Sequence, residues 1–128
     1  MKRILVVDDD RNITELTQLV LESAGYMCKT VNSGNDCIRI LSGAQDDKDA
    51  QFDLVLLDVA MPGFSGIDVI NKIKQDQLFP ANHIVFFTAS SSSMLDSKQL
   101  KAMGVRDIFK KPFKKAELLK AIDDYLAS

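Results

Sequence analysis

The chain has no tryptophan, a single histidine (His83) and only two cysteines (Cys28 and Cys37). Two cysteines make no disulfide framework, and neither has a metal-like neighbour, so both read as reduced apolar fillers. His83 opens a predicted strand at its amino end and is assigned no catalytic role. No stretch approaches the ~20 apolar residues that cross a bilayer. Lys2-Arg3 leads into only four apolar residues before an acidic triplet, which is no secretion signal. Basic charge is not in excess either: a net charge of -2 and a pI near 5.3 lack the footprint of a nucleic-acid binder. The expectation left standing is a cytoplasmic domain with no direct contact to membrane or nucleic acid.

What is present suits one globular domain spanning 1–128, with 46% apolar and 27% charged residues. Strands and helices alternate. The pattern predicts a strand at about 3–8, then a helix at about 11–24 with Ile13, Leu16, Val20 and Ala24 at helical spacing and Gly25 as its left-handed stop. Met27 to Val31 reads as a second strand and Asp36 to Leu41 as a short helix. Ser42 to Ala50 reads as a polar connection whose charge run, Asp46 to Asp49, is solvated surface. A third strand at about 53–57 precedes the turn Met61-Pro62-Gly63-Phe64-Ser65-Gly66. Ile67 to Gln75 is a helix with Ile67, Ile70 and Ile73 on its apolar face. After Pro80 come a strand at 84–87, a helix through Leu95, Leu100 and Met103, a strand at about 106–109 and a last helix at about 114–126. Leu118, Leu119, Ile122 and Leu126 line the inner side of that last helix.

Four apolar runs end on polar residues. Ile4-Leu5-Val6-Val7 stops at Asp8-Asp9, Leu54-Val55-Leu56-Leu57 at Asp58, Ile84-Val85-Phe86-Phe87 at Thr88, and Ile108-Phe109 runs into Lys110-Lys111-Pro112. Continuous apolar runs are the mark of parallel strands covered on both faces. The fold class predicted is therefore α/β: a doubly wound, five-stranded parallel sheet with helices on both faces. Ligands in such sheets bind beyond the carboxyl ends of the strands. The flavodoxin-like order 2-1-3-4-5 sets strands one and three side by side, so Asp8, Asp9 and Asp58 become neighbours; order 3-2-1-4-5 would scatter them. Three close carboxylates repel unless one protonates or a cation intervenes. A hard divalent ion such as Mg2+, with one or two carboxylates plus phosphate oxygens, suits the set. Such a site supports phosphoryl transfer to an aspartate, with Thr88 and Lys111 on the transferred oxygens. Asp10 reads as a helix N-cap, Asp53 as a surface or turn carboxylate, and Ser90 to Ser93 as a loop with a helix cap.

Val6-Val7-Asp8-Asp9-Asp10, Asp53-Leu54-Val55-Leu56-Leu57-Asp58-Val59-Ala60-Met61-Pro62-Gly63, Phe87-Thr88-Ala89 and Lys110-Lys111-Pro112-Phe113 together resemble the response-regulator receiver domain of two-component signalling, chemotaxis-regulator-like. The likeness runs end to end. It implies that Asp58 is the phosphoacceptor and that Asp8 and Asp9 hold Mg2+, directly or through water, with the Ala60 carbonyl as a further ligand. Thr88 and Lys111 would bind the phosphoryl group. Phosphate would come from a histidine kinase, a histidine phosphotransfer protein or a small acyl phosphate. A downstream protein partner would read the fourth helix, fifth strand and fifth helix. Such a switch turns over only its own aspartyl-phosphate and is no enzyme in the usual sense.

The likeness departs at one place. Receivers usually carry Tyr or Phe three residues before the lysine, where this chain has Ile108. Phe109 faces the other way by strand alternation. Readout is therefore expected to use backbone motion of the fourth helix and its serine-rich entry. Ala60 and Ser90, each two places past a site residue, are small and leave a path for water. Two rival functions fit the residues less well. A metal-dependent phosphatase with an Asp nucleophile commonly needs a second Asp where Ala60 stands; a purely structural receiver-like module would have no use for the full acidic set and Lys111.

Overall fold

The computed structural model describes residues 2–89 and 97–127. Five parallel strands, β1 (Arg3–Val7), β2 (Met27–Val31), β3 (Leu54–Asp58), β4 (Ile84–Ala89) and β5 (Asp107–Lys111), form one sheet in the order β2-β1-β3-β4-β5. Five helices alternate with them: α1 (Arg11–Ser23), α2 (Gly34–Ala44), α3 (Gly66–Gln75), α4 (Ser97–Lys101) and α5 (Lys115–Ala127). Short 3-10 turns lie at Lys48–Ala50 and Ala81–His83. The predicted entry of the fourth helix, including Ser90 to Ser93 and Leu95, lies outside the described residues.

Strand alternation divides the core in two. Leu5, Val7, Val55, Leu57, Ile84 and Phe86 face α2, α3 and α4, packing on Cys37, Leu41, Val69, Ile70, Ile73 and Leu100. Ile4, Val6, Leu54, Leu56, Val85 and Phe87 face α1 and α5, packing on Val20, Leu21, Leu118 and Ile122. Every strand residue named here is buried, which is why the runs are continuously apolar rather than alternating. Burial pushes the thiols of Cys28 and Cys37 up to about 12, so both stay protonated and unreactive.

Element ends moved most. β3, β4 and β5 each run further toward their carboxyl ends than expected and take in Asp58, Thr88 and Lys111. The ladder continues because each has a partner on the next strand: Asp58 opposite Phe87, Thr88 opposite Lys110, Ala89 opposite Lys111. β1, by contrast, ends at Val7. α2 is longer than predicted at both ends. It starts at Gly34, where the Ser33 side chain accepts the Asp36 N–H at 3.1 Å, and continues to Ala44, which is buried. Ser42 to Ala44 are thus helix rather than polar connection. Met103 falls in the turn after α4, half-buried against the core.

The inner face of α1 also differs from the predicted one. Thr14, Thr17, Val20 and Leu21 are buried, whereas Leu16 is 50% exposed and Ala24 is an exposed C-cap. The two threonines bury at little cost because their hydroxyls donate within the helix, Thr14 to the Arg11 carbonyl (3.1 Å) and Thr17 to that of Ile13 (2.7 Å). Gly25 stops the helix at φ +91°, as expected. Asp53 precedes β3 and closes the amino edge with Arg3: the Arg3 N–H donates to its carboxylate and its own N–H to the Arg3 carbonyl, each at 2.8 Å. Leu21→Ala should therefore cost about 2–5 kcal/mol, while Leu19→Ala, at a position 68% exposed, should stay within about 0.5 kcal/mol. Urea unfolding of the two variants checks the ordering.

Candidate functional site

Where β1 and β3 pair, Val7 sits opposite Leu57, so the next residues, Asp8 and Asp58, leave the sheet edge side by side. One carboxylate oxygen from each of Asp8, Asp9 and Asp58 lies within 4.8 Å of the others. That meets the requirement that one hydrated ion bridge them. Asp8 and Asp58 are 2% and 4% exposed, and Asp9 faces solvent. Asp10 turns away: its carboxylate caps α1 by accepting the Asn12 N–H at 2.9 Å, as its position before the helix predicts.

Lys111, half-buried at the end of β5, reaches across two strands into this cluster. Its Nζ lies 2.8 Å from Asp8 Oδ2 and 3.3 Å from Asp58 Oδ1. Burial works to lower the lysine's pKa, but the hydrogen bond to Asp8 and the charges of both aspartates outweigh it, leaving the ammonium more strongly held than usual. Asp58 shows the opposite balance. Burial, then the Asp8 charge, push its carboxyl up to about 6 against the pull of Lys111 and a backbone hydrogen bond from Ala60. A cation among these oxygens would oppose both upward causes by favouring the ionised form, and a cluster of carboxylate oxygens open to solvent at Asp9 suits a partly hydrated Mg2+.

Thr88, half-buried, lies one residue past the strand partner of Asp58, on the same edge. Ala60 is exposed two residues beyond Asp58, and its side chain leaves that approach open. His83 sits at the amino edge, away from the cluster, in the 3-10 turn that precedes β4.

Two neighbours were not singled out from sequence. Gly66 begins α3 so close to β3 that a Cβ there would clash with the Asp58 carbonyl oxygen; its N–H donates to the Val59 carbonyl. In the sequence Gly66 reads only as the last residue of a turn, with no sign of this close approach. Asn32, just past β2, donates from Nδ2 to the Asp8 carbonyl (2.9 Å) and to the Thr14 hydroxyl (3.2 Å). Nothing local in the sequence announces that contact, because its partners come from β1 and α1.

The raised Asp58 titration has a sign. An unfolded aspartate titrates near ~3.9, so the folded metal-free protein binds this proton more tightly and gains its stabilising contribution below that pH. The contribution is lost as pH rises through about 6. Between pH 4 and 7 the wild type should lose on the order of 2 kcal/mol relative to Asp58→Asn. Parallel urea-unfolding profiles for the two proteins would contradict this.

The comparisons with known proteins agree with this geometry. A family model described as the response regulator receiver domain matches residues 4–123. The response regulator SaeR of Staphylococcus epidermidis is 31% identical over 128 residues, covering 99% of this chain and 51% of that protein. The chain thus spans about half the length of the curated relatives it matches. Among solved structures, Vibrio cholerae chemotaxis protein CheY4 superposes with a TM-score of 0.81 at 27% identity, covering 98% of this chain and 99% of that one. Thermotoga maritima response regulator TrrA, solved in complex with Mg2+-BeF, gives a TM-score of 0.79 at 32% identity, covering 98% and 100% of the two chains. With the sheet order, the acidic edge and this match in agreement, the chain belongs to the response regulator receiver domain family of two-component signalling.

Proposed function

We propose that Asp58 is the phosphoacceptor of a signalling switch, charged by a histidine kinase or histidine phosphotransfer protein. The observation that carries the reading is the convergence of Asp8, Asp9 and Asp58 within 4.8 Å, with Lys111 bonded to two of them. The TrrA relative in its Mg2+-BeF complex supports it. Asp8, Asp9, Asp58 and the Ala60 carbonyl would hold Mg2+. Bound there, Mg2+ supplies the positive charge that relieves carboxylate repulsion and neutralises the oxygens of the incoming phosphoryl group.

The chain's own residues do the rest. An ionised Asp58 oxygen attacks phosphorus in line; the O–P bond forms as the P–N bond of the donor phosphohistidine breaks, and the imidazole leaves with its electron pair. Lys111 is already poised beside the attacking oxygen and gives up its bond to Asp8 to pair with the phosphoryl oxygens. Thr88 donates a hydrogen bond to another of them. These two movements give the phosphorylated form its differential stability, because a dianion now draws β4 and β5 toward the acceptor. The output surface is α4, β5 and α5, where a downstream protein docks. The domain works in the cytoplasm, where its donors carry phosphohistidine, and it binds no nucleic acid itself. Among the described residues no helix is long and apolar enough to cross a membrane. Hydrolysis by water later returns the free carboxylate and inorganic phosphate, so turnover is confined to the domain's own phosphoryl group.

Incubation with acetyl phosphate and Mg2+ should add one phosphoryl mass, absent in Asp58→Asn and abolished by chelation. A mass gain that persists in Asp58→Asn would reject the assignment. Ala60 is exposed at the mouth of the site, so Ala60→Arg should lengthen the phosphoryl lifetime by shielding phosphorus from water. The decay of radiolabelled protein measures it, and an unchanged rate would count against an open water path.

A further inference from the structure

Asp8 is held from four directions. Its N–H donates to the Val31 carbonyl at 3.2 Å, and its own carbonyl accepts the Asn32 side-chain amide at 2.9 Å. Its Oδ1 accepts the Asp10 N–H at 3.0 Å, which leaves Oδ2 aimed at Lys111, 2.8 Å away. Backbone and side chain are both fixed before any ligand arrives. Among these contacts Asn32 alone is a side-chain bond from outside the acidic loop to the Asp8 backbone.

The direction of the amide follows from chemistry. The Asp8 carbonyl can only accept, so it must face the Asn32 NH2 group. The Thr14 hydroxyl donates its proton to the Arg11 carbonyl and therefore accepts from the same amide at 3.2 Å. A directed chain runs from Asn32 through Thr14 into the first turn of α1, which Asp10 caps. The β2–α2 connection, the acidic loop and the start of α1 are locked into one unit.

We propose that Asn32 is a positioning residue for the metal site: by pinning the Asp8 carbonyl it fixes the reach of the Asp8 carboxylate toward the ion shared with Asp9 and Asp58. The proposal rests on the phosphoacceptor reading above. Groups that orient a metal's ligands typically shift its affinity 10–100-fold when removed. Charge explains why this one matters. Asp8 and Asp58 repel each other, and the ion binds well only if the Asp8 carboxylate is held in place against that repulsion rather than brought there on binding.

Two variants separate positioning from mere stability. Asn32→Ala removes both amide bonds, whereas Thr14→Val keeps the shape of Thr14, deletes the Asn32–Thr14 bond together with the Thr14 bond to the Arg11 carbonyl, and leaves the Asp8 carbonyl pinned. Titration calorimetry of full-length protein with Mg2+, alongside thermal unfolding of the metal-free forms, gives both quantities. The expected result is Mg2+ binding weakened about 10-fold or more in Asn32→Ala and less than about 2-fold in Thr14→Val, although both lower Tm. Unchanged affinity in Asn32→Ala, or equal weakening in the two variants in step with Tm, would overturn the proposal. Should Asn32→Ala fail to fold, Asn32→Ser, too short to span to Asp8, carries the same comparison. Failure of the phosphoacceptor reading shows separately: wild type would bind Mg2+ yet gain no phosphoryl mass, with the calorimetric comparison intact.

Discussion

Two buried carboxylates are forced together by a strand ladder, and much of the site follows from that constraint. Asp8 and Asp58 cannot move apart because Val7 and Leu57, immediately before them, are paired neighbours in the sheet. Water cannot screen their charges because both are buried. The tension is met from β5, where Lys111 lies within ion-pair distance of both carboxylates. An ion pair of this kind, built at the expense of desolvating three charges, is weak ground for stability.

The same constraint explains why the chemistry sits on strand ends. A loop would let the carboxylates relax; the last rungs of β3, β4 and β5 do not. Gly66 follows from it too, since α3 must start against the Asp58 backbone and no side chain fits there. Capping of α3 by Ser65 and Asp68, each bonded to the other's backbone, secures that close start.

The two halves of the core have different characters next to the site. Ile108 joins the cluster under α2, α3 and α4. Phe109 joins the opposite cluster, where it stacks with Phe87 and Phe113 at centroid distances of 5.7 and 6.3 Å. Alternation along β5 thus puts the aliphatic residue on one face and the rings on the other, as the pattern of the strand requires. Among the described residues, β5 contributes no ring to the α4 side, where Ile108 lies in the same cluster as Phe86 of β4.

The sequence by itself determined the fold class, the strand order and the meeting of Asp8, Asp9 and Asp58. Continuous apolar runs are a local property, and the demand that Asp8, Asp9 and Asp58 be neighbours selected one topology over another. What it misplaced were the limits of elements. Asp58, Thr88 and Lys111 read as residues just past their strands, because a polar side chain ends an apolar run, whereas strand membership depends on a partner across the ladder. Thr14 and Thr17 are missing from the predicted inner face of α1, because their burial depends on hydroxyl bonds made only once the helix exists. That Lys111, placed at the site from sequence, bonds to Asp8, 103 positions away in the chain, and that Asn32 grips the Asp8 carbonyl belonged to the tertiary structure alone. Spacing along a chain carries no information on distance across a sheet until the register is set.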